Sequence, residues 1–201
     1  SGSAIIFTNY NNERVIMDGT IPITSTWTQV GSSNIWRTKL SSDIWQLFLD
    51  WEEQVMARWP NAQFSDKSIY DWDSWAEGDE DTSSNGSLVI DEEKSSPTTD
   101  NIDLNNSIGI LNIGSFRTWA VNINNHTKNS GSNDVITYDT NDIGVYKDKH
   151  HYYFFEGKLG FLDTNNEWFH DKTNDILYLY PDDGLNPSTT GRTIKAKTTD
   201  Y

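Results

Sequence analysis

The sequence has no cysteine and carries only 15 basic residues against 30 acidic ones among its 201 residues. Without cysteine the chain forms no disulfide and performs no thiolate chemistry. The formal net charge of −15 argues against nucleic acid and anionic lipid as partners, because phosphate binding needs clustered Lys and Arg side chains. No apolar run reaches the roughly 18 residues that a membrane-spanning helix requires. We therefore expect neither a nucleic-acid partner nor a membrane partner.

Aromatic residues, by contrast, are abundant, with 9 Trp, 9 Tyr and 8 Phe. Disordered chains are poor in aromatic residues, so we expect most of this chain to fold. We interpret residues 1–201 as a single β-rich domain in which residues 61–107 form a long, loop-rich excursion. The opening Ser-Gly-Ser resembles residues left from cloning, and we expect the chain to be a piece of a longer protein.

Most of the local patterns are typical of β-strands. Apolar runs closed by turn residues predict strands at 4–9 and 14–19. Alternating residues on both sides of a short acidic turn predict a hairpin over 43–60, ended by Pro60 and with Trp51 at its exposed tip. Further strands are predicted at 107–114, 116–124, 135–140 and 150–163, and a second hairpin at 167–181. The fold class is therefore all-β, sandwich-like or irregular, with a long acidic loop.

Eight of the nine tryptophans fall into two groups. Five lie in strand-like sequence and are expected to pack in the core: Trp36, Trp45, Trp59, Trp119 and Trp168. Three others lie in polar turn or loop sequence, where an exposed ring could stack on the apolar face of a sugar: Trp51, Trp72 and Trp75. The alternative is that these rings pack against the core and anchor their loops to it.

The stretch "DWDSWAEGDED" (71–81) places Trp72 and Trp75 among six carboxylates. Asp71 and Asp73 are candidate acceptors for sugar hydroxyl groups, and a helical turn over 71–77 would bring both rings to one side. An extended loop would instead separate the rings. The carboxylates could also bind Ca²⁺, although their spacing is not that of an EF-hand, and a solvated acidic loop is the alternative.

Several stretches together resemble one region of a family of large secreted proteins, mainly from marine bacteria, that contain a right-handed parallel β-helix. The stretches are "DIWQLFLD" (43–50), "ARWPNA" (57–62), "NIGSFRTW" (112–119), "KHHYYFFEGKLGFLD" (149–163) and "NEWFHDKTNDILYLYPDDGLNP" (166–187). The resemblance implies a β-rich domain near the amino terminus, secreted or at the cell surface, with "RTIKAKTTDY" (192–201) leading into the first strand of a β-helix. The family usually has Gly after the Asp of the first hairpin turn, where this chain has Trp51.

This family is related to glycoside hydrolases and polysaccharide lyases, which implies polysaccharide as a partner together with the rest of the parent chain. We expect a non-catalytic role in carbohydrate binding or substrate positioning, with Arg117 as a further candidate contact. The alternatives are a catalytic part of a lyase or hydrolase and a structural cap of the β-helix. Elimination on a uronate needs residue types found at Arg117, His126, His151 and Tyr152. A zinc site would need convergent histidines among His126, His150, His151 and His170.

Overall fold

The computed structural model describes residues 4–78, 84–91, 97, 100–114, 117–129, 133–140, 151–189 and 191–198. Its strands, in chain order, are β1 (Ile21–Pro22), β2 (Thr28–Gln29), β3 (Trp36–Lys39), β4 (Gln46–Leu49), β5 (Glu52–Met56), β6 (Arg58–Trp59), β7 (Ala76–Glu77), β8 (Ser87–Val89), β9 (Ile108–Gly114), β10 (Arg117–Thr127), β11 (Val135–Tyr138), β12 (Tyr152–Glu156), β13 (Glu167–Asp171), β14 (Ile176–Tyr180) and β15 (Ile194–Lys197). Short 3-10 helices occupy Ser68–Tyr70, Trp72–Ser74 and Leu159–Phe161. Within these ranges no helix is long and apolar enough to cross a membrane.

The strands form two sheets, as the all-β prediction requires. The first sheet has the order β1-β15-β4-β5-β13-β14-β3-β2, and the second has the order β6-β12-β9-β10-β11-β8 with β7 also paired to β12. In the first sheet β5 and β13 run parallel, joining Val55 to Glu167 and Met56 to Trp168. This pairing brings together two hairpins that are more than a hundred residues apart in the sequence.

The core has two parts because both faces of the first sheet are covered. Side chains of a strand alternate between faces, so on β14 Leu177 and Leu179 join one apolar cluster while Tyr178 joins the other. The cluster containing Tyr178 also holds Tyr153 and Phe155 of β12, which places it between the two sheets. The arrangement is therefore sandwich-like.

Both predicted hairpins are confirmed, with one boundary corrected. β4 and β5 pair across a two-residue turn at Asp50 and Trp51, and Trp51 stands exposed at the tip. β13 and β14 pair across residues 172–175. The prediction that the second strand of the first hairpin runs to Pro60 is wrong. β5 ends at Met56, and the chain then continues as β6, which pairs with β12 in the other sheet.

The strands predicted at 4–9 and 14–19 are wrong, since this segment forms no strand and lies exposed. An apolar run becomes a strand only where a neighbouring edge accepts its hydrogen bonds, and the first such pairing here begins at Ile21 of β1. The excursion at 61–107 contributes β7 and β8, and its Leu88 and Leu104 are fully buried in the core between the sheets.

Among the five tryptophans assigned to the core, one assignment is wrong. Trp59 and Trp168 are buried, and Trp36 and Trp119 are partly buried against the apolar clusters. Trp45 is instead 59% exposed. The regular alternation of β4 begins only at Gln46, and the bend before it turns Ile44 inward and Trp45 outward.

Candidate functional site

Trp72 and Trp75 lie on the same side of a helical turn, as their spacing predicts. The side chain of Asp71 accepts a hydrogen bond from the backbone N–H of Asp73 (3.1 Å) and so caps the 3-10 helix Trp72–Ser74. The backbone N–H of Trp75 donates to the carbonyl of Trp72 (2.9 Å) and closes the turn. The two ring centroids are then 5.8 Å apart.

Both rings rest on the outer side of β12. The ring of Trp72 meets that of Tyr152 at 5.0 Å between centroids, and the ring of Trp75 meets that of Phe154 at 4.8 Å, both in edge-to-face geometry. Trp75 is half-buried by this contact, whereas Trp72 remains 51% exposed. Trp75 therefore anchors the turn, while Trp72 presents a ring to solvent. We call Trp72, Trp75, Tyr152 and Phe154 the aromatic face.

Arg58 holds the aromatic face in place on the second sheet. Its guanidinium carbon lies 3.8 Å from the ring centroid of Phe154, a cation–π contact on a buried side chain. Nε donates to the carbonyl of Pro60 (2.9 Å) and Nη2 to that of Ser74 (3.2 Å). Burial lowers the pKa of Arg58 to about 10, against the opposing charge of Glu156, so the side chain stays cationic at neutral pH.

A groove of about 710 Å³ begins where the aromatic face ends, because Phe154 belongs to both and Arg58, which packs on the Phe154 ring, also lines the groove. Strands β4, β5 and β13 of the first sheet border the groove on one side, and β6 and β12 of the second sheet on the other. Its volume lies within the range of small-molecule sites, about 300–1,000 Å³. The exposed ring of Trp45 also lines it.

Both cations that line the groove have an acidic neighbour. Burial raises the pKa of Glu156, and the neighbouring Arg58 opposes that shift. Lys172 pairs with Asp43 at 3.1 Å. The carboxylate of Glu53 accepts a hydrogen bond from Nε2 of Gln46 (2.7 Å), and Asp171 adds a further carboxylate to the lining.

Trp51 lies on a different part of the molecule. Its ring is 4.1 Å from Nζ of Lys195 on β15, and Lys195 also forms an ion pair with Asp18. A second groove of about 370 Å³ adjoins the same hairpin and is lined by Asp50 and Arg192, among others. The three tryptophans predicted to stack on sugars therefore do not form one surface. Trp72 and Trp75 lie together, and Trp51 lies at the hairpin tip on the first sheet.

The remaining predicted residues fall in several places. Asp73 is exposed on the turn. Arg117 pairs through its backbone with Gly114, and its side chain lies outside the described residues, as do His150, Asp79, Glu80 and Asp81. Tyr152 belongs to the aromatic face, and His151 is buried. In the described part of the chain, no group of three or more His, Asp or Glu side chains is placed to hold a metal ion.

His126 is committed to a structural contact. Its Nδ1 accepts the backbone N–H of Leu104 (3.2 Å), so Nε2 carries the proton and donates to the carboxylate of Asp134 (3.0 Å). Both side chains are fully buried, and burial lowers the pKa of His126 against the opposing effect of Asp134. The imidazole is therefore neutral at pH 7 and already has partners at both nitrogens.

The groove itself is absent from the sequence-based prediction. Its chief members, Trp45, Gln54 and His170, belong to two hairpins that meet only through the pairing of β5 with β13. Gln54 gave no clear local signal, because it follows Glu52 and Glu53 in a strand whose first residues are polar. Nothing local distinguishes Trp45 from a core tryptophan.

A solved structure described as a glycoside hydrolase is similar to this chain, with a TM-score of 0.62 and 17% sequence identity over 92% of the chain. This chain spans 32% of the length of that protein. No protein-family model matches the sequence, and no curated protein matches it. At this level of identity the similarity establishes a shared fold.

Proposed function

We propose that this chain is a non-catalytic carbohydrate-binding domain that positions a polysaccharide for a longer, polysaccharide-degrading protein. The observation that carries the proposal is the continuity of the aromatic face with the groove through Phe154 and Arg58. A half-exposed tryptophan ring beside a groove of this size offers a platform for the apolar face of a sugar.

The physical argument rests on how rigidly the aromatic face is held. Trp72 is fixed by the capped turn and by its contacts with Trp75 and Tyr152, so a sugar that stacks on it orders little additional side chain. Preorganised contacts of this kind contribute more to affinity than flexible ones. Asp71 and Asp73 extend the surface with carboxylate oxygens that can accept hydroxyl hydrogen bonds.

The structural neighbour supports the proposal in a general way. That protein is a glycoside hydrolase about three times as long as this chain, since the match covers 32% of it. By this analogy the domain belongs to a secreted or cell-surface protein whose further part, including the β-helix implied by the resemblance, is its partner. The exposed apolar side chains of Ile5, Phe7 and Met17 offer a surface for that contact.

A screen against immobilised polysaccharides tests the proposal. The chain is run through affinity gels containing neutral, sulfated or uronate polysaccharides, with Ca²⁺ or with a chelator, because the carboxylates of 71–81 also make calcium a proposed ligand. We expect a gel that contains a neutral polysaccharide to retard the parent chain and to retard the Trp72→Ala variant less. Tyr10→Ala, which removes an exposed ring outside the aromatic face, is the matched control and should run like the parent chain. A parent chain that no gel retards would refute the proposal.

A second candidate function is cleavage of the glycan within the groove, favoured by Glu156. Burial raises the pKa of Glu156, and a carboxyl group with a raised pKa suits a general acid. Glu53 and Asp171 also line the groove and could supply the second carboxylate that hydrolysis requires. Release of reducing ends by the parent chain and none by Glu156→Gln would establish cleavage. Binding without release would leave the domain non-catalytic.

A further inference from the structure

We infer that the groove is a subsite for a neutral oligosaccharide, in which Trp45 stacks on one sugar while Gln54 and His170 accept hydrogen bonds from hydroxyl groups. This inference rests on the proposed carbohydrate-binding function and adds the location of the main site and the class of its ligand. Two buried hydrogen-bond acceptors, one on each of two adjacent strands, carry the argument.

The first acceptor is Oε1 of Gln54 on β5. The Gln54 side chain is only 5% exposed and lines the groove. Its Nε2 donates to the carbonyl of Glu52 (3.1 Å), but Oε1 has no hydrogen-bond partner within the described ranges. Leaving a buried acceptor unpaired is unfavourable, so such an atom in a folded protein calls for a specific reason. A donor supplied by a ligand gives that reason.

The second acceptor is Nδ1 of His170 on β13. His170 is 9% exposed, and its Nε2 lies 2.9 Å from the carbonyl oxygen of Leu40. A carbonyl oxygen can only accept, so Nε2 carries the proton, and Nδ1 of the neutral imidazole holds a lone pair. Nδ1 also has no partner among the residues that the structure describes. His170, which also lines the groove, therefore holds a second unused acceptor.

The spacing of the two acceptors indicates a ligand longer than one sugar. β5 and β13 are parallel neighbours, and the register joins Val55 to Glu167. On that register Gln54 and His170 are offset by four residues, which corresponds to about 13 Å along the strands. A monosaccharide is too short to reach both acceptors, whereas an oligosaccharide lying along the groove reaches both.

The charges around the groove favour neutral glycans over anionic ones. Arg58 faces Glu156 and Lys172 pairs with Asp43, so no unbalanced cluster of cations is present on the described groove wall to hold sulfate or carboxylate groups. The net charge of −15 also repels anionic polymers. Hydroxyl groups, by contrast, are the kind of donor that Oε1 of Gln54 and Nδ1 of His170 lack. The matching ligand class is therefore a neutral glycan.

The decisive variants are Gln54→Leu and Trp45→Ala, with Gln29→Leu as a matched control on an exposed strand of the same sheet. Affinities are measured by titration calorimetry with cello-, xylo-, laminari-, manno- and agaro-oligosaccharides, and with alginate and carrageenan oligosaccharides as anionic probes. Loss of one ligand hydrogen bond should weaken binding about tenfold for Gln54→Leu. The melting temperature of Gln54→Leu should be unchanged or higher, because the substitution removes an unpaired buried acceptor. That combination is not expected of a purely structural residue.

The outcomes separate this inference from the proposed function. Weaker binding of a neutral oligosaccharide by both groove variants, with Gln29→Leu unchanged, supports the inference. Binding by the parent chain that both groove variants retain, but that Trp72→Ala loses, preserves the proposed function and overturns the groove assignment. Binding of the anionic probes alone also overturns it. A parent chain that binds no probe overturns the proposed function and the inference together.

Discussion

At the scale of single residues, Trp51 is a bulky side chain at a backbone conformation that favours glycine. Asp50 and Trp51 have φ values of 53° and 74°, the two positive angles of the turn that links closely paired antiparallel strands. Glycine adopts such angles without steric conflict, whereas a bulky side chain there is strained by roughly 1–3 kcal/mol. The contact between the Trp51 ring and Lys195 offsets part of that strain.

Trp51→Gly should therefore increase the free energy of unfolding by about 1 kcal/mol, measured by urea denaturation. Trp51→Ala is the matched control, because it removes the same ring but keeps the Cβ atom that conflicts with the backbone. The difference between the two variants isolates the backbone effect. A Trp51→Gly variant no more stable than Trp51→Ala would show that the turn is not strained.

Glu167 makes the stability of the fold depend on pH. The side chain is fully buried, and burial raises its pKa from 4.5 to about 8. Above pH 4.5 the unfolded chain releases this proton while the folded chain retains it, so folding becomes less favourable as the pH rises toward 8. The slope contributed by one such group is at most about 1.4 kcal/mol per pH unit.

Glu167→Gln should remove this contribution. Its amide oxygen can still accept the backbone N–H of Arg58, which now lies 3.4 Å from Oε1 of Glu167. We expect urea denaturation at pH 5, 6.5 and 8 to show the parent chain losing stability with rising pH more steeply than the variant. Parallel profiles for the two proteins would mean that Glu167 is ionised in the folded state.

At the scale of elements, the two tryptophans of the turn at 71–75 have different roles: Trp75 anchors the turn, and Trp72 is exposed to solvent. Trp75 is half-buried against Phe154 and Trp72 is half-exposed, although both share the same turn. Trp75→Ala should lower the free energy of unfolding by about 2 kcal/mol, because it removes packing under the turn, and Trp72→Ala by about 1 kcal/mol or less. Thermal unfolding of the two variants side by side tests the order. Equal losses would contradict this division of roles.

Local patterns predicted the elements that depend on nearby residues. Alternation around the turn at Asp50 predicted the first hairpin, and helical spacing predicted that Trp72 and Trp75 share a side. The failures have different causes. The run at 4–9 looks like a strand but pairs with no strand in the part of the chain that the structure describes. Trp45 follows the alternation of β4 on paper, but it lies at the bend just before that strand begins and is exposed, although its backbone N–H donates to the carbonyl of Lys197 (2.8 Å).

At the scale of the whole molecule, the groove depends on contacts that no local pattern encodes. Gln54 and His170 line the same groove only because β5 pairs with β13, and Phe154 lines it because β6 leaves the first sheet to join β12. The sequence therefore predicted the all-β class and the shared side of Trp72 and Trp75, but not their packing on β12 or the groove beside it.

The exposed segment at 4–16 should be dispensable for this fold. Ile5, Ile6 and Phe7 are each more than 80% exposed, so their removal exposes no core. Deletion of residues 1–16, which retains the ion pair between Asp18 and Lys195, should leave the melting temperature within experimental error. It should also reduce the binding of an apolar dye such as ANS, since the deleted residues provide exposed apolar surface. A large fall in melting temperature would show that this segment packs against the domain.

The central claim is that the aromatic face and the groove bind a neutral glycan, and tryptophan indole N–H signals in a ¹⁵N-labelled sample test it most directly. Trp72 and Trp45 are exposed at the proposed site, whereas Trp27 and Trp59 are buried and serve as internal references. On titration with a neutral oligosaccharide that binds in the screen, the account predicts that the Trp72 and Trp45 signals shift in a saturable way while those of Trp27 and Trp59 stay in place. Saturable shifts at Trp51 alone, or no shift with any glycan, would contradict it.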